Sequence, residues 1–137
     1  MHQTYSYLDI LRGSQIFDSM KKKILVADDD PAIVESTTLI LEEFGYEVAS
    51  TVDGQTIYKM ERDFPDLLLL DIWMSGQDGR KICKYLKKDI LTKDIPVILI
   101  SASRDIENST KDAGADDFLP KPFEMNELLA KISKWIG

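Results

Sequence analysis

Four short stretches hold the side chains that could do chemistry. Asp28, Asp29 and Asp30 follow the aliphatic run KILVA, Asp71 follows LLLL, Ser101 follows PVILI, and Lys121 precedes Pro122 just after DDFLP. Taken singly, each has an ordinary structural reading: an acid at a strand end, a helix cap, a solvated lysine at a turn. Taken together, each directly after an apolar run, they argue for a shared site. Adjacent carboxylates repel one another unless a cation or a proton lies among them. The donor set is oxygen only, which points to Mg2+ as the cation. A lysine and a hydroxyl at adjoining positions suit phosphoryl oxygens. A carboxylate beside a metal and a phosphate is in turn a candidate nucleophile, able to form an aspartyl phosphate.

The elements that must gather these residues are visible as an alternation. Short apolar runs lie at 23–27, 46–50, 66–70, 96–100 and 116–120, and LLLL and VILI within them are continuously apolar, as central parallel strands covered on both faces should be. Between them the pattern predicts helices over about 31–44, 54–63, 79–88, 104–113 and 124–136. Asp30 before Pro31 reads as an N-cap with proline at the first helical position. Asp53 with Gly54 opens the second helix, with Ile57, Met60 or Glu61, and Phe64 as its apolar positions. Gly45 and Gly114 fit left-handed helix ends, and Leu128, Leu129, Ile132 and Ile136 form the stripe of the last helix. Such a (βα)5 alternation predicts an α/β fold: a parallel sheet between two helix layers, in strand order 2-1-3-4-5. Ligands bind such sheets at the carboxyl ends of the strands, where the order switches, and every residue of the candidate site falls there.

Composition excludes several classes. The chain of 137 residues, 44% hydrophobic and 30% charged, is the size and make-up of one globular domain. Its 17 Lys and Arg against 24 Asp and Glu give a net charge of -7, which disfavours nucleic acid or an anionic membrane as direct partners. The run Lys21-Lys22-Lys23 is too short to alter that and reads as a solvated strand entry. A single cysteine, Cys83, excludes an internal disulfide and reads as a small core residue with no histidine to serve it, and the lone His2, near the terminus, reads as inert. No apolar run approaches the roughly 18 residues of a membrane span. There is no secretory signal pattern either, so a cytoplasmic location is expected. Residues 1–21 fall outside the βα alternation and are expected to form a poorly ordered extension: an upstream start, a cloning remnant or a short interaction arm. No second domain is expected after the last helix.

The motifs KILVADDDP, PDLLLLDIWMSGQDG, PVILISAS and GADDFLPKPF, in that order, resemble those of bacterial two-component response-regulator receiver domains of the stand-alone, chemotaxis-type architecture. The resemblance covers residues 22–136 and implies a three-layer flavodoxin-like domain over 22–137. It implies Asp71 as phosphoacceptor, with Mg2+ held by Asp28, Asp29, Asp71 and the backbone carbonyl of Trp73, Asp28 acting mainly through water. Ser101 and Lys121 would bind phosphoryl oxygens, Lys121–Pro122 would be a cis peptide, and Ser101 with Phe118 would form the switch. The implied donor is a sensor histidine kinase or histidine phosphotransfer protein. Output would pass through the face of the fourth helix, fifth strand and fifth helix to an unnamed partner, the protein being a monomer or a weak phosphorylation-linked dimer.

On that reading the chain is a switch, not a turnover enzyme. The alternative is a phosphorylation-independent binding module or a phosphate sink. A phosphatase of the haloacid-dehalogenase type would need a second acid two residues after Asp71, where Trp73 stands. The family pattern is broken at Ser75, where proline is usual, which predicts a looser loop. Ser101 stands for the commoner threonine, the fourth helix is short, and Trp73 is bulky enough to screen a phosphoryl group from water.

Overall fold

The computed structural model describes residues 21–137. Five strands form one parallel sheet: β1 (Lys23–Ala27), β2 (Glu47–Thr51), β3 (Leu67–Asp71), β4 (Val97–Ser101) and β5 (Asp117–Pro120). The helices between and after them are α1 (Pro31–Glu43), α2 (Gly54–Tyr58), α3 (Gly79–Lys88), α4 (Ile106–Ala113) and α5 (Met125–Ile136). The sheet order is β2-β1-β3-β4-β5, as the alternation predicts. Both central strands, β3 and β4, are buried at every position, which is why they read as unbroken aliphatic runs.

Side chains alternate across the sheet and so divide the core in two. Leu25, Leu68, Leu70 and Leu99 face Ile57 of α2, Ile82, Cys83 and Leu86 of α3, and Ile106 and Ala113 of α4. Ile24, Val26, Leu69, Ile98 and Leu119 face Leu41 of α1 and Leu128 and Ile132 of α5. Cys83 is fully enclosed and burial pushes its thiol up to about 11, the behaviour of a packing residue.

The caps follow the sequence. Asp30 Oδ1 accepts from the Ala32 and Ile33 amides at 3.0 and 3.4 Å, and Asp53 Oδ1 accepts from the Gln55 amide at 2.9 Å. Gly114 closes α4 in the left-handed region. Two features depart from expectation. Helix α2 ends at Tyr58 instead of near residue 63; Met60 still packs against the core, but from a loop that turns at Asp63 (φ 54°) and leads into Phe64-Pro65, a pair that disfavours helix. In addition, Trp73–Met74 pairs antiparallel with Gln77–Asp78 in a small hairpin beyond β3. The expected disorder of the N-terminal extension concerns residues outside the described ones, save Lys21, which is exposed at the entry to β1.

Candidate phosphoacceptor site

Neighbouring strands β1 and β3 end side by side, Ala27 paired with Leu70, so the residues that follow them meet. One carboxylate oxygen each from Asp28, Asp29 and Asp71 lie within 4.8 Å of one another. Asp28 is enclosed, Asp71 is 8% exposed, and Asp29 stands open to solvent. Asp30, the third of the adjacent acids, turns away as the cap of α1, and its amide donates to Asp28 Oδ1 at 2.9 Å.

Lys121 directly follows the end of β5 and is joined to Pro122 by a cis peptide bond. Its Nζ lies 2.9 Å from Asp28 Oδ2 and 3.5 Å from Asp71 Oδ2, bridging the two buried acids. Asp28 Oδ2 is fully buried, and the Lys121 ammonium is its ionic partner. Burial pulls the Lys121 ammonium down, but Asp28 and Asp71 outweigh it and hold the group above its ordinary value. One ammonium cannot serve two carboxylates fully. Burial and then the Asp28 charge push Asp71 up to about 6, against the opposing pull of Lys121 and the Trp73 backbone N–H. A site with three clustered carboxylates, two of them buried and sharing one ammonium, and oxygen donors only suits a small divalent cation such as Mg2+.

Ser101 ends β4 beside this cluster, 8% exposed, its Oγ accepting the Ser103 amide at 3.0 Å. Phe118 is half-buried on β5, paired in register with Leu99, two residues before Ser101 on the same face. The Lys131 ammonium lies 5.3 Å from its ring centre. Trp73 is 58% exposed at the rim. The structure thus brings Asp28, Asp29, Asp71 and Lys121 into one cluster, with Ser101 on the adjoining strand.

Residues 24–133 match the response regulator receiver domain family. The chain belongs to that family. The receiver is 40% identical over 113 residues to the DNA-binding dual master transcriptional regulator RpaA of Synechocystis, covering 80% of this chain and 47% of that protein. It is 34% identical over 116 residues to the phosphate regulon transcriptional regulatory protein PhoB of Escherichia coli, covering 82% of this chain and 51% of that one. The chain therefore spans about half the length of these curated relatives. Among solved structures it is similar to the receiver domain of a sensor histidine kinase from Pseudomonas aeruginosa, with a TM-score of 0.76 and 30% identity over 85% of this chain and 98% of the other. That structure holds a magnesium ion coordinated in its active-site cleft.

Three receiver residues are not marked as site residues by the sequence pattern. In the loop at Ser75, its amide donates to Asp29 Oδ2 at 2.9 Å and its hydroxyl to the Val52 carbonyl at 2.7 Å. Gln77 Oε1 accepts the Gly54 amide at 2.6 Å. Gly79 lies so close behind Asp71 that a Cβ there would collide with the Asp71 carbonyl. The signal for the first two was present in Ser75-Gly76, a dipeptide that marks a turn.

Proposed function

We propose that this receiver is a Mg2+-dependent phosphoacceptor switch in which Asp71 takes a phosphoryl group from a phosphohistidine. The donor is a sensor histidine kinase or a histidine phosphotransfer protein. The observation that carries this is the meeting of Asp28, Asp29 and Asp71 within 4.8 Å under a single shared lysine.

Asp28, Asp29, Asp71 and the Trp73 carbonyl are the groups that would hold Mg2+, which when bound supplies positive charge to the transferring phosphoryl oxygens. The Asp71 carboxylate attacks phosphorus, its O–P bond forming as the donor's N–P bond breaks, and the imidazole leaves with that electron pair. Lys121 offers its ammonium to a phosphoryl oxygen and Ser101 its hydroxyl to another. Before transfer Lys121 also screens Asp28 from Asp71, so the nucleophile stays ionised at neutral pH although burial resists it. The new group carries up to about two negative charges. Ser101 would leave its contact with the Ser103 amide to meet the phosphoryl group, and Phe118, on the same face of the sheet, would move with it. The α4-β5-α5 face would then gain or lose affinity for an output partner, by binding another protein or by weak pairing of two receivers.

The receiver unit runs over residues 22–137 on this reading, and it works in the cytoplasm as a signalling module. Its acidic balance disfavours direct contact of this unit with nucleic acid. Among the described residues no helix is long and apolar enough to cross a membrane.

The test is intact mass after incubation with acetyl phosphate, with and without Mg2+, beside Asp71→Asn. The expected result is one added phosphoryl group that requires Mg2+ and is absent from the variant. An adduct that persists in Asp71→Asn would sink the assignment of the nucleophile.

A further inference from the structure

The hairpin beyond β3 reaches back to the site through one residue. Ser75 has φ 51° and Gly76 φ 76°, and Met74 pairs with Gln77 across them. Positive φ at both central residues is what a two-residue turn of the mirror-image type requires. Ser75 thereby adopts a conformation that a side chain resists, which makes it a position worth questioning. Proline, locked near φ -65°, could not take it, and would also delete the amide that Asp29 accepts.

That amide is not idle. Asp29 is the exposed member of the acidic cluster, and an exposed aspartate samples several rotamers. Ser75 N–H occupies Asp29 Oδ2 and leaves the other oxygen and further lone pairs open. The Ser75 hydroxyl is anchored on the Val52 carbonyl, and Gln77 ties the same turn to the Gly54 amide, so the donor stands on a loop braced at two points.

We propose that Ser75 is a positioning residue for metal capture: its backbone N–H presets Asp29 toward Asp28 and Asp71, and its hydroxyl holds that N–H in place. The proposal rests on the reading of the cluster as a Mg2+ site. Its basis is preorganisation. A ligand already oriented by a hydrogen bond loses less freedom when the cation arrives, and partners of ligating carboxylates commonly carry 10- to 100-fold in metal affinity.

Calorimetric titration with Mg2+ of the wild type, Ser75→Pro and Ser75→Gly tests this, with phosphoryl uptake from acetyl phosphate followed at low and saturating Mg2+. Ser75→Pro, which loses the amide, is expected to bind Mg2+ about 10-fold more weakly. Ser75→Gly keeps the amide and the turn but loses the hydroxyl brace, and is expected to bind about threefold more weakly. In both, uptake should return to the wild-type rate at saturating Mg2+, which a merely structural defect of the loop would not do. Wild-type affinity in both variants, or a rate defect that survives saturation, overturns the proposal. Should Ser75→Pro fail to fold by circular dichroism, the affinity of Ser75→Gly alone decides: threefold weaker binding supports the brace and wild-type binding overturns it. No Mg2+ binding by the wild type would overturn the metal reading itself, and this inference with it.

Discussion

Two aspartates, Asp71 and Asp117, are equally shielded, with side chains 12% and 11% exposed, yet their acidities move in opposite directions. Burial pushes both up. At Asp117 it is overcome: Lys131 Nζ donates at 2.7 Å, Trp135 Nε1 at 2.9 Å and the Phe118 amide at 2.9 Å, and the carboxyl ends below its ordinary value. At Asp71 the lysine is shared with Asp28, whose charge adds to burial, so the carboxyl ends near 6. The tryptophans repeat the contrast, since Trp135 is bonded to its aspartate while Trp73 stands open beside the other. A buried carboxylate whose oxygens are filled from within the chain braces the fold. One left short of donors is kept for something that arrives from outside.

The contrast is sharpest if each aspartate is removed. Asp117→Ala leaves the Lys131 ammonium and the Trp135 indole without their acceptor between β5 and α5. It is expected to lower unfolding stability by about 2–3 kcal/mol in urea titrations at pH 7. A change near zero would mean that the three donors find water at no cost.

Asp71→Asn should do the reverse, raising stability by about 1–2 kcal/mol at pH 7.5 without Mg2+. The sign follows from the raised acidity constant. The folded state binds the Asp71 proton more tightly than the unfolded chain, so this group favours folding below about pH 4. That contribution is lost as pH rises toward about 6 and beyond. The wild type should therefore lose stability over that interval, relative to the variant, while Asp117 acts oppositely and weakens the fold only in stronger acid. Parallel curves for wild type and Asp71→Asn between pH 4 and 7.5 would break the comparison.

Trp73 gives the smallest effect. If its ring shields the phosphoryl group, Trp73→Asn should shorten the acyl-phosphate lifetime by about threefold, under 1 kcal/mol of barrier. An unchanged lifetime would leave the exposed ring without a part in hydrolysis.

Much of this was legible in the sequence, for reasons particular to each element. LLLL and VILI announce central strands because burial on both faces removes the alternation that half-buried strands show. The strand-end rule then puts Asp28, Asp29, Asp71, Ser101 and Lys121 along one edge without any coordinates. What the sequence hides is the matching of donors to acceptors across long separations. Nothing in the local pattern pairs Asp117 with Trp135 or Ser75 with Asp29, 46 residues away. The early stop of α2 is similar: Met60 keeps the helical apolar period yet meets the core from a loop, so periodicity alone overextends the helix.

The lone thiol of Cys83 has a practical consequence. Enclosed between α3 and the sheet and held protonated, it is invisible to alkylating reagents while the helix is seated. Its labelling rate therefore counts the openings of that half of the core. Any event at the strand ends that tightens the native state would register as a slower clock, read by mass from a single atom and without an engineered label site.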